Sequence, residues 1–238
     1  MFKFSTGFFN KSLGKSQRYT AFTLAEVLIV VGIIGIIAEL TIPTLVENIQ
    51  EQVTLTQVKK IYSNLQQVVK LSEIDNGPSS EWDWGTMDSS SINNFYQTYW
   101  APYLKVLKVC SSYYDCHYLE LEPWKQPNKT VYDIYSVDVS SRTSLILSDG
   151  TFLIIKNYET NGVLTKTIFV DINAAKKPNI FGKDVFCFYI DNNKGLIPYG
   201  LTNDSVIINN DCSKVGTGQM CAAKLLLDGW QIKYDYPW

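Results

Sequence analysis

Histidine is almost missing from this chain: one residue, His117, in 238. That scarcity removes most acid–base schemes, which favour imidazole because its pKa lies near neutrality. There is also no G-x-S-x-G, H-E-x-x-H or P-loop run. The common nucleophile, zinc-hydrolase and phosphate-cradling arrangements are therefore not written in the sequence. Basic charge gives no surplus either: 21 Lys and Arg stand against 23 Asp and Glu, for a net charge of −2. Sequence-independent nucleic-acid binding needs a basic footprint, so no nucleic-acid partner is expected. Internal repeats and low-complexity tracts are lacking as well. Cys110, Cys116 and His117 lack a second ligand pair at ordinary zinc spacing, so no metal is expected there. No catalytic residue and no cofactor are expected, and the chain reads as a non-enzyme.

What is present in quantity is an apolar run, preceded by basic charge only and with just two acids, Glu26 and Glu39, within it. Residues 1–21 carry Lys3, Lys11, Lys15 and Arg18 and no acid. They lack the apolar stretch of about 7–15 residues that a secretory signal places before its cleavage site. The apolar stretch comes afterwards, from Phe22 to Val46, long enough for a hydrocarbon core of about 30 Å. Bases before the span and acids after it (Glu47, Glu51) put the N-terminus in the cytoplasm. An uncleaved signal anchor accounts for all of this except Glu26, a carboxylate four residues into the span. An ionisable group there is costly and functional by default. No partner for it is visible within the chain, and the simplest source is another copy. Thr23 and Glu26 also fit the S/T-x-x-E capping box, a reading that can coexist with the first.

The segment Ala21-Phe22-Thr23-Leu24-Ala25-Glu26 resembles the prepilin N-terminal motif of the type IV pilin and type II secretion pseudopilin family: a small residue at the cut, then Phe-Thr-Leu-x-Glu. The resemblance is specific from residue 21 to about residue 50. It implies removal of the leader 1–21 by a prepilin peptidase between Ala21 and Phe22, N-methylation of Phe22, and packing of the helices into a filament. It also implies other pilin-like subunits and an inner-membrane assembly platform as partners. Ala21 stands where the family usually has Gly, so cleavage is expected to be slower or still adequate. Leader removal leaves 17 basic residues against 23 acidic ones.

The physics of the motif agrees with that reading. The freed amine of Phe22 is a cation at the membrane face, and Glu26 lies about 6 Å further along the helix axis. A neighbouring helix shifted by one turn would bring its amine to this carboxylate. In low dielectric the pair has a large Coulomb value, while either charge alone is expensive. Glu39 is about 26 Å beyond Phe22, near the far interface, and is read as a snorkelling boundary residue. Pro43 removes a backbone donor and clashes with the carbonyl of Glu39, so a kink is expected there. Gly32 and Gly35 weaken the helix or allow close helix contacts.

Beyond the span, Val58, Ile61, Leu65, Val68 and Ser72 keep i, i+3, i+4 spacing, with Val69 and Leu71 widening the stripe. Asn76-Gly77-Pro78 ends the pattern. The expected organisation is leader 1–21, transmembrane helix 22–46, amphipathic extension 47–77 and an extracytoplasmic head 78–238. The fold class is α+β, a long helix with antiparallel strands packed on its outer half.

Within the head, residues 79–91 read as a polar loop. Trp82 and Trp84 close a core edge there in preference to forming a binding platform. Ile92 to Val109 look partly helical, with an interruption near Pro102. Asp149-Gly150 makes Ile146–Ile154 a hairpin. Thr167–Ile172, Val185–Ile190 and Trp230–Tyr234 read as strands, and Ala222–Leu227 as a short helix stopped by Gly229. Asp171, Asn173 and Asp184 offer oxygens for a calcium loop, but the acidic positions such a loop wants fall on Ala175 and Gly182. Asx turns are the better reading. Outside the cytoplasm disulfides are permitted, and the short loops Cys110–Cys116 and Cys212–Cys221 are the economical pairing, although spacing alone does not fix connectivity. Cys187 remains as a buried thiol in an apolar run.

Three functions follow from these residues. The first is a structural subunit of a type II secretion pseudopilus or type IV pilus, held as a single-pass inner-membrane protein before assembly. The second is a minor, tip-located subunit whose aromatic head binds a ligand. The third, ranked last, is a membrane-anchored enzyme.

Overall fold

The structure is a computed structural model. It describes residues 23–110, 115–116, 123–132, 142–160, 163–174 and 176–238. The leader 1–21, Phe22 and His117 lie outside the described residues, and with them the cleavage and N-methylation expectations. Contacts within the chain divide it after Glu47 into two units.

Helix α1 runs from Leu24 to Asn76 and contains Pro43 with helix on both sides. Its stretch within the first unit carries large apolar side chains all round, ranging from 45% exposed at Val46 to 79% at Leu24. The later stretch is amphipathic. Val58, Ile61, Leu65, Val68, Val69 and Ser72 are all buried, as the spacing requires. Leu71 departs from the expectation. It is exposed, because it lies outside the narrow arc that Val68 and Ser72 define. Burying each large apolar member of the stripe is worth about 1.5–3 kcal/mol. That contribution, more than intrinsic helix propensity, holds the outer half of α1 in place.

The stripe packs on a six-stranded antiparallel sheet: β1 (Val106–Cys110), β2 (Arg142–Leu147), β3 (Phe152–Thr160), β4 (Val163–Asp171), β5 (Val185–Asp191) and β6 (Gly195–Pro198), paired in chain order. Sequential pairing needs only hairpin-type connections. The Asp149-Gly150 turn behaves as its sequence predicts. Gly150 takes φ +87° and Asp149 accepts from the Thr151 N–H at 3.2 Å. Register Leu145↔Leu153 and Ile155↔Ile168 then places alternate residues on opposite faces. Leu145, Leu153, Ile155, Ile168, Val170, Phe186 and Phe188 form the core with α1. Phe152, Ile154, Phe169, Val185 and Cys187 point the other way, into a second cluster with Trp124, Phe181 and the Cys110–Cys116 pair.

Between α1 and β1 the chain forms a short 3-10 turn (Ser79–Glu81) and helix α2 (Ser89–Phe95), whose last turn widens to π-helix over Tyr96–Trp100. Asp88 caps α2, accepting from the Ser91 N–H at 2.9 Å. Trp82 and Trp84 are buried, and Trp84 stacks on Phe95 with centroids 4.1 Å apart. Their indole N–H groups donate to the carbonyls of Gly77 and Ser79. Both rings close the core edge, as expected.

One segment corrects the sequence reading and another adds to it. In Ile92–Val109 the helical part stops at Trp100, just before Pro102, in line with the expected interruption, and Val106–Cys110 beyond it is strand β1, which the residues do not announce. Its bulge between Val106 and Lys108 leaves Leu107 exposed, so the run never shows the alternation that marks a strand. Trp230–Tyr234 is not a strand. Gly229 and Trp230 both have positive φ, and the Trp230 N–H closes back on the Leu225 carbonyl at 2.7 Å. That closure ends α4 (Cys221–Leu227). The tail then packs through side chains, with Tyr236 Oη donating to the Gly182 carbonyl at 2.6 Å. Strand β6 and helix α3 (Ser205–Asp211) had no forecast.

Candidate assembly site

The first residues of α1 form a reciprocal cap. The Thr23 backbone N–H and hydroxyl both donate to Glu26 Oε2, at 2.8 and 2.9 Å, while the Glu26 N–H donates to Thr23 Oγ1 at 3.2 Å. This is the capping-box geometry. It corrects the expectation that Glu26 has no partner in its own chain. One carboxylate oxygen is occupied by neutral donors, which supply hydrogen bonds but no counter-charge.

From Leu24 to Val46 the helix offers a continuous apolar surface. A β-carbon added at Gly32 or at Gly35 would meet nothing within 4 Å among the described residues. Glu39 is exposed. Thr41 Oγ1 donates to the Ile37 carbonyl at 2.9 Å, two residues before Pro43. Among the described residues, α1 is the one helix long and apolar enough to cross a membrane.

The other sequence-marked residues belong to the head. Cys110–Cys116 and Cys212–Cys221 are disulfides and Cys187 is a buried free thiol. The thiolates that a Cys110–Cys116–His117 metal site would need are therefore consumed. The Asp171–Asp184 loop is built from Asx turns. The Asn173 N–H donates to Asp171 Oδ1 at 3.1 Å, and Asp184 accepts from the Asn179 and Ile180 N–H groups at 2.7 and 2.6 Å. Burial pushes the Asp184 carboxyl up to about 6 in spite of those donors. Among the described residues no cluster of three or more His, Cys, Asp or Glu side chains is arranged to hold a metal ion.

Lys224 is buried in α4 and pinned by Asn209 Oδ1 at 2.8 Å and Asp235 Oδ2 at 2.7 Å. It ties α3, α4 and the tail together.

One feature had no sequence signal. Tyr132, Tyr158 and Tyr199, separated by as many as 67 residues, line one depression on the sheet face away from α1. The chain's 15 tyrosines announced aromatic surface without saying where it would gather.

These observations define a class: an α+β head whose core includes the amphipathic stretch of a helix that begins with a capped, apolar, uncovered segment. The chain belongs to the Family of unknown function (DUF6613), whose model matches residues 44–238. The match takes in the whole head and leaves the capped start and most of the apolar segment, up to residue 43, outside it. No curated protein and no solved structure matches the chain.

Proposed function

We propose that the protein is a prepilin-like structural subunit, processed at Ala21–Phe22 and assembled into a type II secretion pseudopilus or type IV pilus filament. The observation that carries this reading is the join of a capped carboxylate to an apolar helix surface that its own chain leaves bare. A helix that is apolar on every side belongs in a membrane or in contact with its like. In the bilayer the segment is a single-pass anchor with its N-terminus in the cytoplasm and the head outside. In the filament the same surface is buried between neighbouring helices, and the Phe22 amine of one subunit supplies the counter-charge that Thr23 does not give Glu26.

The test is isolation of sheared surface material and of periplasmic filaments from cells that make the protein. A major subunit would dominate the polymer and a minor one would be scarce in it. Recovery only as dispersed membrane monomer, in cells with an active assembly platform, would overturn the proposal. The tyrosine-lined depression favours a second reading, a scarce tip subunit that binds a ligand.

A further inference from the structure

The depression on the outer face of the sheet has a volume of about 290 Å³. That is at the small end for a ligand site, the size of a single ring and its substituents. Its construction follows from strand register. Tyr158 on β3 stands opposite Thr165 on β4, and Phe169 opposite Cys187 on β5. Thr165, Thr167 and Phe169 of β4 and Cys187 of β5 share this side, so the sheet contributes Thr165 and Thr167 as one wall and Phe169 with Cys187 as a buried floor. Tyr199, just after β6, is tied to that floor by its backbone N–H, which donates to the Cys187 carbonyl at 3.0 Å. Tyr132 comes from the segment after Trp124, and Gln219 from the loop that the Cys212–Cys221 disulfide closes.

The chemistry of the lining is uniform. It offers three phenols, two threonine hydroxyls and one carboxamide, every one able to donate and to accept. No carboxylate, lysine or arginine is among the described lining residues. Tyr132 and Tyr158 Oη lie 3.2 Å apart, and both rings pack against Phe169, at 5.9 and 6.3 Å between centroids. Their hydroxyls are thus held at one point of the wall while the ring faces stay fixed. Burial raises the pKa of Tyr132, Tyr158 and Tyr199 above the ordinary range, which keeps all three phenols neutral. Lys156 Nζ lies 4.5 Å from the centre of the Tyr158 ring, and the charge of Arg142 also acts on Tyr158.

Such a wall does not select for charge. It matches a neutral, ring-shaped molecule with hydroxyls around its edge and C–H groups on its faces, because amphipathic aromatic rings pair with the faces while the hydroxyls and the amide pair with the edge. We propose that this depression is a saccharide-binding site that takes one neutral pyranose residue, free or at the end of a glycan. The inference rests on the head alone and not on filament assembly, so either can fail without the other.

The test is saturation-transfer-difference NMR on the full chain in a zwitterionic, sugar-free detergent. The probes are the methyl glycosides of glucose, galactose, mannose and N-acetylglucosamine, each at roughly 10 mM, a concentration that reveals millimolar affinity. Benzoate and inorganic phosphate serve as aromatic and anionic comparisons. The expected result is transfer to the ring protons of at least one glycoside and none to phosphate. Thr165→Val and Gln219→Ala each remove one edge contact at the mouth and should weaken that glycoside about tenfold, with thermal unfolding unchanged. Tyr132→Phe is the third variant, removing only an oxygen and keeping the ring packed on Phe169. No transfer to any glycoside would overturn the assignment. So would equal binding by all three variants, which would put the sugar elsewhere, or a stronger response to phosphate or benzoate than to every sugar.

Discussion

The two stretches of α1 obey different rules although one run of helix contains both. In the first, Leu24 to Val46, large apolar residues occur at every angle and remain exposed. In the second, apolar residues keep to one arc, and that arc is buried against the sheet. The difference teaches that periodicity identifies which partner a helix has. A stripe is met by its own fold, whereas an all-round apolar surface must be met by something else. The polar groups divide in the same way. Glu26 is capped by Thr23 and has no counter-charge among the described residues, while Lys224 in the head is held by Asp235 with Asp228 3.5 Å away.

The largest effect expected from this contrast belongs to Glu26. Glu26→Gln keeps the shape and the acceptor that Thr23 uses, so insertion and leader removal should be spared. The incoming amine would lose its counter-charge, and removing one partner of a desolvated pair costs about 3–5 kcal/mol. Mutant subunits should therefore be nearly absent from sheared filaments when scored against membrane-inserted protein. Glu39→Gln should do much less. Equal incorporation of Glu26→Gln and wild type would remove the pairing mechanism.

Next in size is a matched pair of truncations on the same helix. Leu65 is fully buried in the stripe. Leu65→Ala should destabilise the head by about 2–5 kcal/mol, lowering its unfolding midpoint by several degrees. Ile33→Ala, in the bare stretch, should leave that midpoint where it was. Circular dichroism of the full chain in detergent reads both. Equal shifts for the two would erase the distinction between the stretches.

The smallest effect is a pH dependence confined to the head. The Asp184 carboxyl titrates at about 6 in the fold, above its ordinary value of 3.8. Its folded form is thus favoured when protonated. The contribution is complete below about pH 4 and is lost as pH rises through about 6, a change of less than about 3 kcal/mol. Asp149 and Asp235, held low chiefly by their hydrogen bonds to Lys60 and Lys224, act in the opposite sense and lose stability only as pH falls further. Denaturant unfolding between pH 4 and pH 7 should show a decline that Asp184→Asn flattens. An unchanged slope in that variant would show that the loop carboxylate is not its source.

Much of this organisation is legible in the residues because it is local. The Val58–Ser72 stripe, the Asn76-Gly77 stop, the Asp149-Gly150 hairpin and the Thr23–Glu26 cap each depend on a few neighbours and a fixed spacing. The missed elements have no such signature. Strand β1 hides its alternation behind a bulge, β6 is four residues containing Gly195 and Pro198, and α3 exposes Val206 and Ile207 in place of a buried stripe. The tyrosine depression was out of reach for a different reason. Its members come from residue 132 to residue 219, and only the sheet register brings them together.

The most direct test of the account is the mass of the N-terminal peptide of the protein taken from cells with an active prepilin peptidase. The account predicts a mature chain that begins at Phe22 and carries one N-methyl group, with Ala21→Gly cleaved at least as completely. A chain that still begins at Met1 in those cells would contradict it.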